Sequence, residues 1–355
     1  MKISQHTSIA PLHRFIKSES AAGIFLFIAA SLAMLWANSP WRDAYHALWH
    51  IDLSIAVGEY GISKSLHHWI NDGLMALFFF VVGLELKREM IGGELANFKK
   101  AMLPLGAAFG GMLMPALIYT IFNYQTPGHN GWGVPMATDI AFALGVIALL
   151  GKRVPLSVKV FLTALAIADD LGAVLVIALF YTSDISLMNL SVGLLFMAVL
   201  LGANYAGVRS TLFYGIVGIC GVWLAFLMSG VHATIAGVLA AMAIPARTKI
   251  DEISFTRQLE HLMQQFKSIP PNDVSLLEPA QHQVIDNISA LTSAAATPLQ
   301  RLEHALHPWV IFGVMPLFAF ANAGIALNSD VFSTTFFEGV SMGVFTGLLI
   351  GKFAG

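Results

Sequence analysis

Long apolar runs alternate with short polar stretches along most of this chain, and a helix needs roughly 17–25 apolar residues to cross a bilayer. By that measure spans lie near 21–38, 69–86, 101–124, 134–151, 156–182, 187–206, 211–228, 232–245, 305–327 and 338–355. The seventh and eighth are short, so they either tilt little or stop inside the bilayer against other protein. Two stretches break the pattern. From His50 to Gly61, Leu53, Ile55 and Val57 alternate with small or polar residues, which predicts a short β-hairpin outside the bilayer. From Ala246 to Glu303 the chain turns polar, with Pro270 and Pro271 dividing two amphipathic helical stretches. The predicted organisation is spans one to eight over 1–245, a cytoplasmic insertion over 246–303, and spans nine and ten over 304–355.

Composition agrees with that pattern. Hydrophobic residues make up 57% of the chain and charged ones 11%, where soluble domains carry about 25% charge. The fold class is an all-α polytopic membrane protein. A net charge of −2 gives no reason to expect nucleic acid, and a lone Cys220 inside an apolar segment cannot build a disulfide framework. Lys2, Arg14 and Lys17 precede the first apolar run as they would in a secretory signal; with so many spans following, that run reads as an uncleaved first span. Basic residues fall in the N-terminus and every second loop, Lys87, Arg88, Lys99, Lys100, Lys152, Arg153, Arg209, Arg247 and Lys249 among them. The opposite loops hold only Arg42 and Lys64, which places the N-terminus in the cytoplasm.

Candidate chemistry concentrates where charge interrupts apolar sequence. Asp169 and Asp170 stand together in the fifth span, with no other charge between Lys159 and Asp184. One charge at the centre of a membrane helix costs roughly 2.5–3.5 kcal/mol on the insertion scale, so a pair is too costly to be kept for packing alone. Two adjacent carboxylates repel in a low dielectric, so one is readily held protonated unless a cation or a positive side chain sits between them, which suggests a site where protons and a cation compete. A pair of structural hydrogen-bonding carboxylates is the weaker reading. In the fourth span, Pro135, Thr138, Asp139 and Gly145 make poor material for a continuous helix. Either the helix breaks near Thr138–Asp139, leaving the carboxylate against half-helix dipoles, or Asp139 caps an ordinary helix. Lys352 lies inside the tenth span and either pairs with Asp169 or Asp170 or snorkels to the interface. Glu85, Lys87, Arg88 and Glu89 crowd the end of the second span, and Glu303, His304 and His307 open the ninth. They are either solvated helix ends or a pH-responsive entrance, since histidine titrates near neutrality. Asp72, His232 and Asn322 are equally open between satisfied core groups and functional ones.

In combination, FFFVVGLELKREM, PMATDIAFALGVIALL, FLTALAIADDLGAVLVIALFYT, SGVHATIAGV, LEHALHPWV and PLFAFANAG resemble the NhaA family of sodium/proton antiporters over nearly the whole chain. That resemblance implies an inverted-repeat transporter with broken helices, about ten spans being present of an expected twelve. It implies Asp169 and Asp170 as the cation and proton site with Na⁺ bound transiently, Thr138 and Asp139 at the crossing of two broken helices, and Lys352 as partner of Asp169. It places pH sensing at Glu85, Arg88, Glu303 and His307. The implied function is electrogenic, pH-regulated exchange of cytoplasmic Na⁺ or Li⁺ for external protons in a bacterial inner membrane, without enzymatic activity or cofactor, serving pH homeostasis and salt tolerance. It also implies a homodimer through the hairpin near residues 50–61. Departures are Phe353 after Lys352 where the family usually has Pro, the long insertion, and the absence of two spans from these 355 residues. Alternatives are a truncated, inactive member and a sodium-coupled organic-anion symporter, which would need fewer titrating carboxylates. An intramembrane aspartyl protease fits poorly, because its two aspartates come from different helices.

Overall fold

The computed structural model describes residues 19–57, 60–137, 150, 153–182, 185–270, 276–327 and 338–355; the other nine expected spans coincide with helices, and most of the fourth, 134–151, lies outside the described residues. Helix α1 (Glu19–Ala37) turns by 119° into the short α2 (Arg42–Trp49). Strands β1 (Asp52–Val57) and β2 (Tyr60–Ser65) follow. Then come α3 (Leu66–Gly92), α4 (Phe98–Phe122), α5 (Leu156–Phe180), α6 (Leu187–Tyr205), α7 (Thr211–Ser229) and α8 (Ala233–Ala243). Two amphipathic helices, α9 (Glu252–Ser268) and α10 (Pro279–Ala295), lead into α11 (Pro298–Asn322) and α12 (Gly339–Ala354). Among the described residues six helices are long and apolar enough to cross a membrane: α3, α4, α5, α6, α7 and α11.

Several expected boundaries move. The second span is longer than its apolar stretch, because α3 begins at Leu66 under a Ser65 cap and continues through the charged residues to Gly92. The seventh, expected to be short, has 19 residues in α7. The eighth is short, with 11 residues in α8, or about 16 Å of helix. Protein rather than lipid surrounds it: Ala233, Ala236, Gly237, Val238, Ala240, Ala241 and Ala243 are all buried. The ninth begins seven residues before its expected start at 305, since Thr297 and Gln300 form a reciprocal capping box ahead of Pro298.

The hairpin forms as the alternation predicts, but reaches Ser65 rather than Gly61, with Asp52 opposite Ser65 and Ile55 opposite Ile62. In the insertion, α9 ends at Ser268, just before Pro270. Asp251 caps α9, accepting from the Ser254 amide at 2.9 Å and its hydroxyl at 2.8 Å. Those bonds hold its carboxyl below the usual carboxylate range.

Helix packing rests on small residues, as it must where lipid gives no hydrophobic drive for association. The tightest crossing joins α3 and α8. A methyl on Gly83 would stand 2.8 Å from the Ala241 methyl, and one on Gly237 would strike the Ala76 carbonyl. Around this crossing sits the main apolar core, with Leu84, Leu200, Tyr214, Val222, Phe226 and Ile244. A second core gathers Ala33, Ala37, Tyr45, Trp49, Ile70 and Ala321 where α1 and α2 meet α11.

Candidate functional site

Asp169 lies at the middle of α5, about 20 Å from its start at Leu156. Asp169 and Asp170 are only 5% and 9% exposed, walled by buried Ala164, Ile167, Ala168, Ala173 and Val174. Gly172, one turn on, lets Met112 of α4 lie directly against α5. Helix α12 reaches α4 in the same way. Pro115 of α4 meets Gly347 and Gly351 of α12, and a methyl on Gly351 would come within 2.8 Å of the Pro115 backbone.

Those two glycines bound a π turn, Gly347–Gly351, immediately before Lys352. One extra residue in a turn rotates everything beyond it by about 100°, so the turn helps decide which way Lys352 points. Its ammonium donates to Asp169 Oδ2 at 2.6 Å and to the carbonyl of Met136. Among the described residues, nothing donates to the other Asp169 oxygen, Oδ1, although it is buried. A buried carboxylate with one oxygen paired and the other open is chemically suited to take a proton or a small hard cation.

Met136 ends a 3₁₀ turn, His129–Met136. Thr138 and Asp139, expected at a helix break, lie outside the described residues.

The four residues expected to sense pH come together where α3 meets α11. Arg88 Nη1 pairs with Glu303 Oε1 at 2.5 Å, and His307 Nδ1 stands 3.2 Å from Glu85 Oε1. Glu303 is 5% exposed, and its Oε2 has no donor among the described residues. The remaining polar candidates are partnered in part. Asp72 lies 3.1 Å from His68, and Asn322 donates to Asn71 Oδ1 at 2.9 Å. His232 precedes α8 without a side-chain capping bond.

Sequence reasoning passed over Asn123 and Tyr181, and grouped Lys87 only with the charged end of the second span. Lys87 donates to the carbonyls of Met242 and Ile244 at 2.6 and 2.5 Å, satisfying the C-terminal end of α8. Asn123, fully buried, donates to Gly339 O at 2.9 Å and ties α4 to the start of α12. Tyr181 accepts from Gly133 N at 2.8 Å and donates to Asn130 O at 2.6 Å, holding the 3₁₀ turn to the end of α5. For Asn123 a signal existed in its position inside an apolar stretch. Lys87 and Tyr181 resemble ordinary span-end residues.

Apolar helices of spanning length around a buried acid–base pair define a multi-pass membrane protein with an ionisable site in its interior. The family model described as Na⁺/H⁺ antiporter 1 matches residues 13–355. The chain belongs to that family. It is 52% identical over 348 residues to the Na⁺/H⁺ antiporter NhaA of Oleidesulfovibrio alaskensis, covering 98% of this chain and 77% of that protein. The Na⁺/H⁺ antiporter NhaA 2 of Syntrophotalea carbinolica is 50% identical over 96% of this chain and 78% of its own length. The Na⁺/H⁺ antiporter NhaA of Sulfurimonas denitrificans is 47% identical over 97% of this chain.

Proposed function

We propose that this protein exchanges Na⁺ or Li⁺ from the cytoplasm for external protons, with Asp169 and Asp170 as the shared site for both. The observation that carries this is the Asp169 carboxylate, which holds Lys352 through Oδ2 while Oδ1 accepts nothing from the described residues. A proton or a sodium ion arriving there weakens the hold on Lys352, and either replaces the other at one place. Family membership supports the choice of ions.

Two carboxylates releasing two protons per cation make the cycle electrogenic. Each net charge moved across 100 mV then contributes about 2.3 kcal/mol of driving force. Thr138 and Asp139 complete the site as helix-crossing support. The cluster of Glu85, Arg88, Glu303 and His307 regulates exchange by pH, because the His307–Glu85 pair strengthens as the imidazole protonates. Family membership supports placement in a bacterial inner membrane, and the bias of basic residues supports an N-terminus on the inside. The hairpin joins two copies.

The test uses full-length protein in everted vesicles carrying a pH gradient. Adding NaCl or LiCl collapses the gradient with the native protein, and Asp169→Asn or Asp170→Asn abolishes the response. Glu303→Gln keeps exchange but moves its half-activation pH by about half a unit or more. Full exchange by either asparagine variant would overturn the site assignment.

A further inference from the structure

We propose that Tyr181 is a positioning residue for exchange: it fixes the 3₁₀ turn so that the Met136 carbonyl can hold Lys352 whenever a cation takes its place on Asp169. This rests on the reading of Asp169 as the cation site.

Lys352 has two acceptors, one charged and one neutral. When sodium occupies Asp169, the ammonium must leave the carboxylate, and a buried ammonium without an acceptor is costly. The Met136 carbonyl removes most of that cost, provided it stays in place. Its place is set by two tyrosine hydroxyls, one just ahead of the preceding turn and one across the turn's middle. Tyr119 of α4 donates to Gly128 O at 2.7 Å. Tyr181, just past α5, both accepts from Gly133 N and donates to Asn130 O, spanning the turn's middle.

The fit is close enough to be a constraint. A methyl on Gly133 would stand 2.9 Å from the Tyr181 hydroxyl and 3.0 Å from its ring, and Trp132 packs tilted against Tyr181 and edge-on to Phe180, with centroids at 6.0 and 5.1 Å. Tyr181 follows the helix that carries Asp169 and Asp170. The neutral acceptor of Lys352 is thereby referenced to the helix that bears its charged one. Any movement of α5 carries both together.

Tyr181→Phe removes both hydroxyl bonds while keeping the ring. The expected result is a rise of about three- to tenfold in the apparent KM for Na⁺, with the maximal rate within about twofold, because saturating Na⁺ still displaces Lys352. Gly133→Ala, which presses the turn away from the same ring, gives the same split with Tyr181 intact. Tyr205→Phe, at a residue 98% exposed on α6, leaves both parameters unchanged. An unaltered KM in Tyr181→Phe and Gly133→Ala, with Asp169→Asn inactive, would overturn the positioning role and leave the cation site standing. An active Asp169→Asn would remove the site itself. Should Tyr181→Phe express poorly, calorimetric Li⁺ titration of purified Gly133→Ala reads the same loss of affinity; native affinity there counts against the proposal.

Discussion

Asp169 and Lys352 keep each other tolerable in a place where neither belongs alone. Removing one partner of a buried pair typically costs about 3–5 kcal/mol, since it strands the other's charge. Lys352→Ala is therefore expected to lower the melting temperature of the detergent-purified protein at neutral pH. Adding Asp169→Asn to Lys352→Ala should restore part of the loss, because an uncharged amide needs no cationic partner. A double variant that melts as low as Lys352→Ala alone would show that the destabilisation comes from packing. The carboxylates were legible in the sequence because charge inside an apolar run is conspicuous, and Lys352 was legible for the same reason. Its orientation was not, since that depends on a π turn stabilised against Pro115. Nor was Tyr181, because a tyrosine at a span end is commonplace at membrane interfaces.

At the scale of elements, glycine and alanine set how closely helices approach. Gly237 shows this between α3 and α8: any side chain there collides with the backbone of α3 at Ala76 and Phe80. Gly237→Leu should separate α3 from α8, expose the core around Leu84 and Ile244, and give aggregated protein by size-exclusion chromatography. Gly92→Ala, on the same α3 but with open space around it, should elute like the native protein. Helix positions were largely readable from hydrophobic run length. Their ends were not, because caps such as Ser65 and Thr297 extend a helix beyond its apolar stretch. The eighth span's brevity was readable too, and burial against other protein was one of the two readings it left open, but which helices bury it was not readable.

For the whole molecule, the positive-inside bias gave an orientation, while apart from Lys352 with the aspartate pair the meeting of distant helices could not be read from one chain. The meeting of Arg88 with Glu303, 215 residues apart, is such a case. The proposed homodimer belongs to this scale. Strands β1 and β2 form a two-stranded sheet whose outer edges stay unpaired among the described residues, and Leu53 and Ile55 are exposed on it. Such a ribbon is suited to pairing with a second copy. Replacing Leu53 and Ile55 by Lys should halve the apparent mass on a native gel while the monomer keeps its exchange activity. An unchanged band would mean that copies associate elsewhere, or not at all.

The insertion of α9 and α10 leaves and re-enters at nearly one point: the Lys249 amide donates to Ala294 O at 3.1 Å, and the Leu299 amide to Pro245 O at 3.2 Å. What hangs from that neck is mechanically a pendant. Its length and content can drift through evolution, or be exchanged by an engineer for a fluorescent reporter, while the helices on either side keep their spacing.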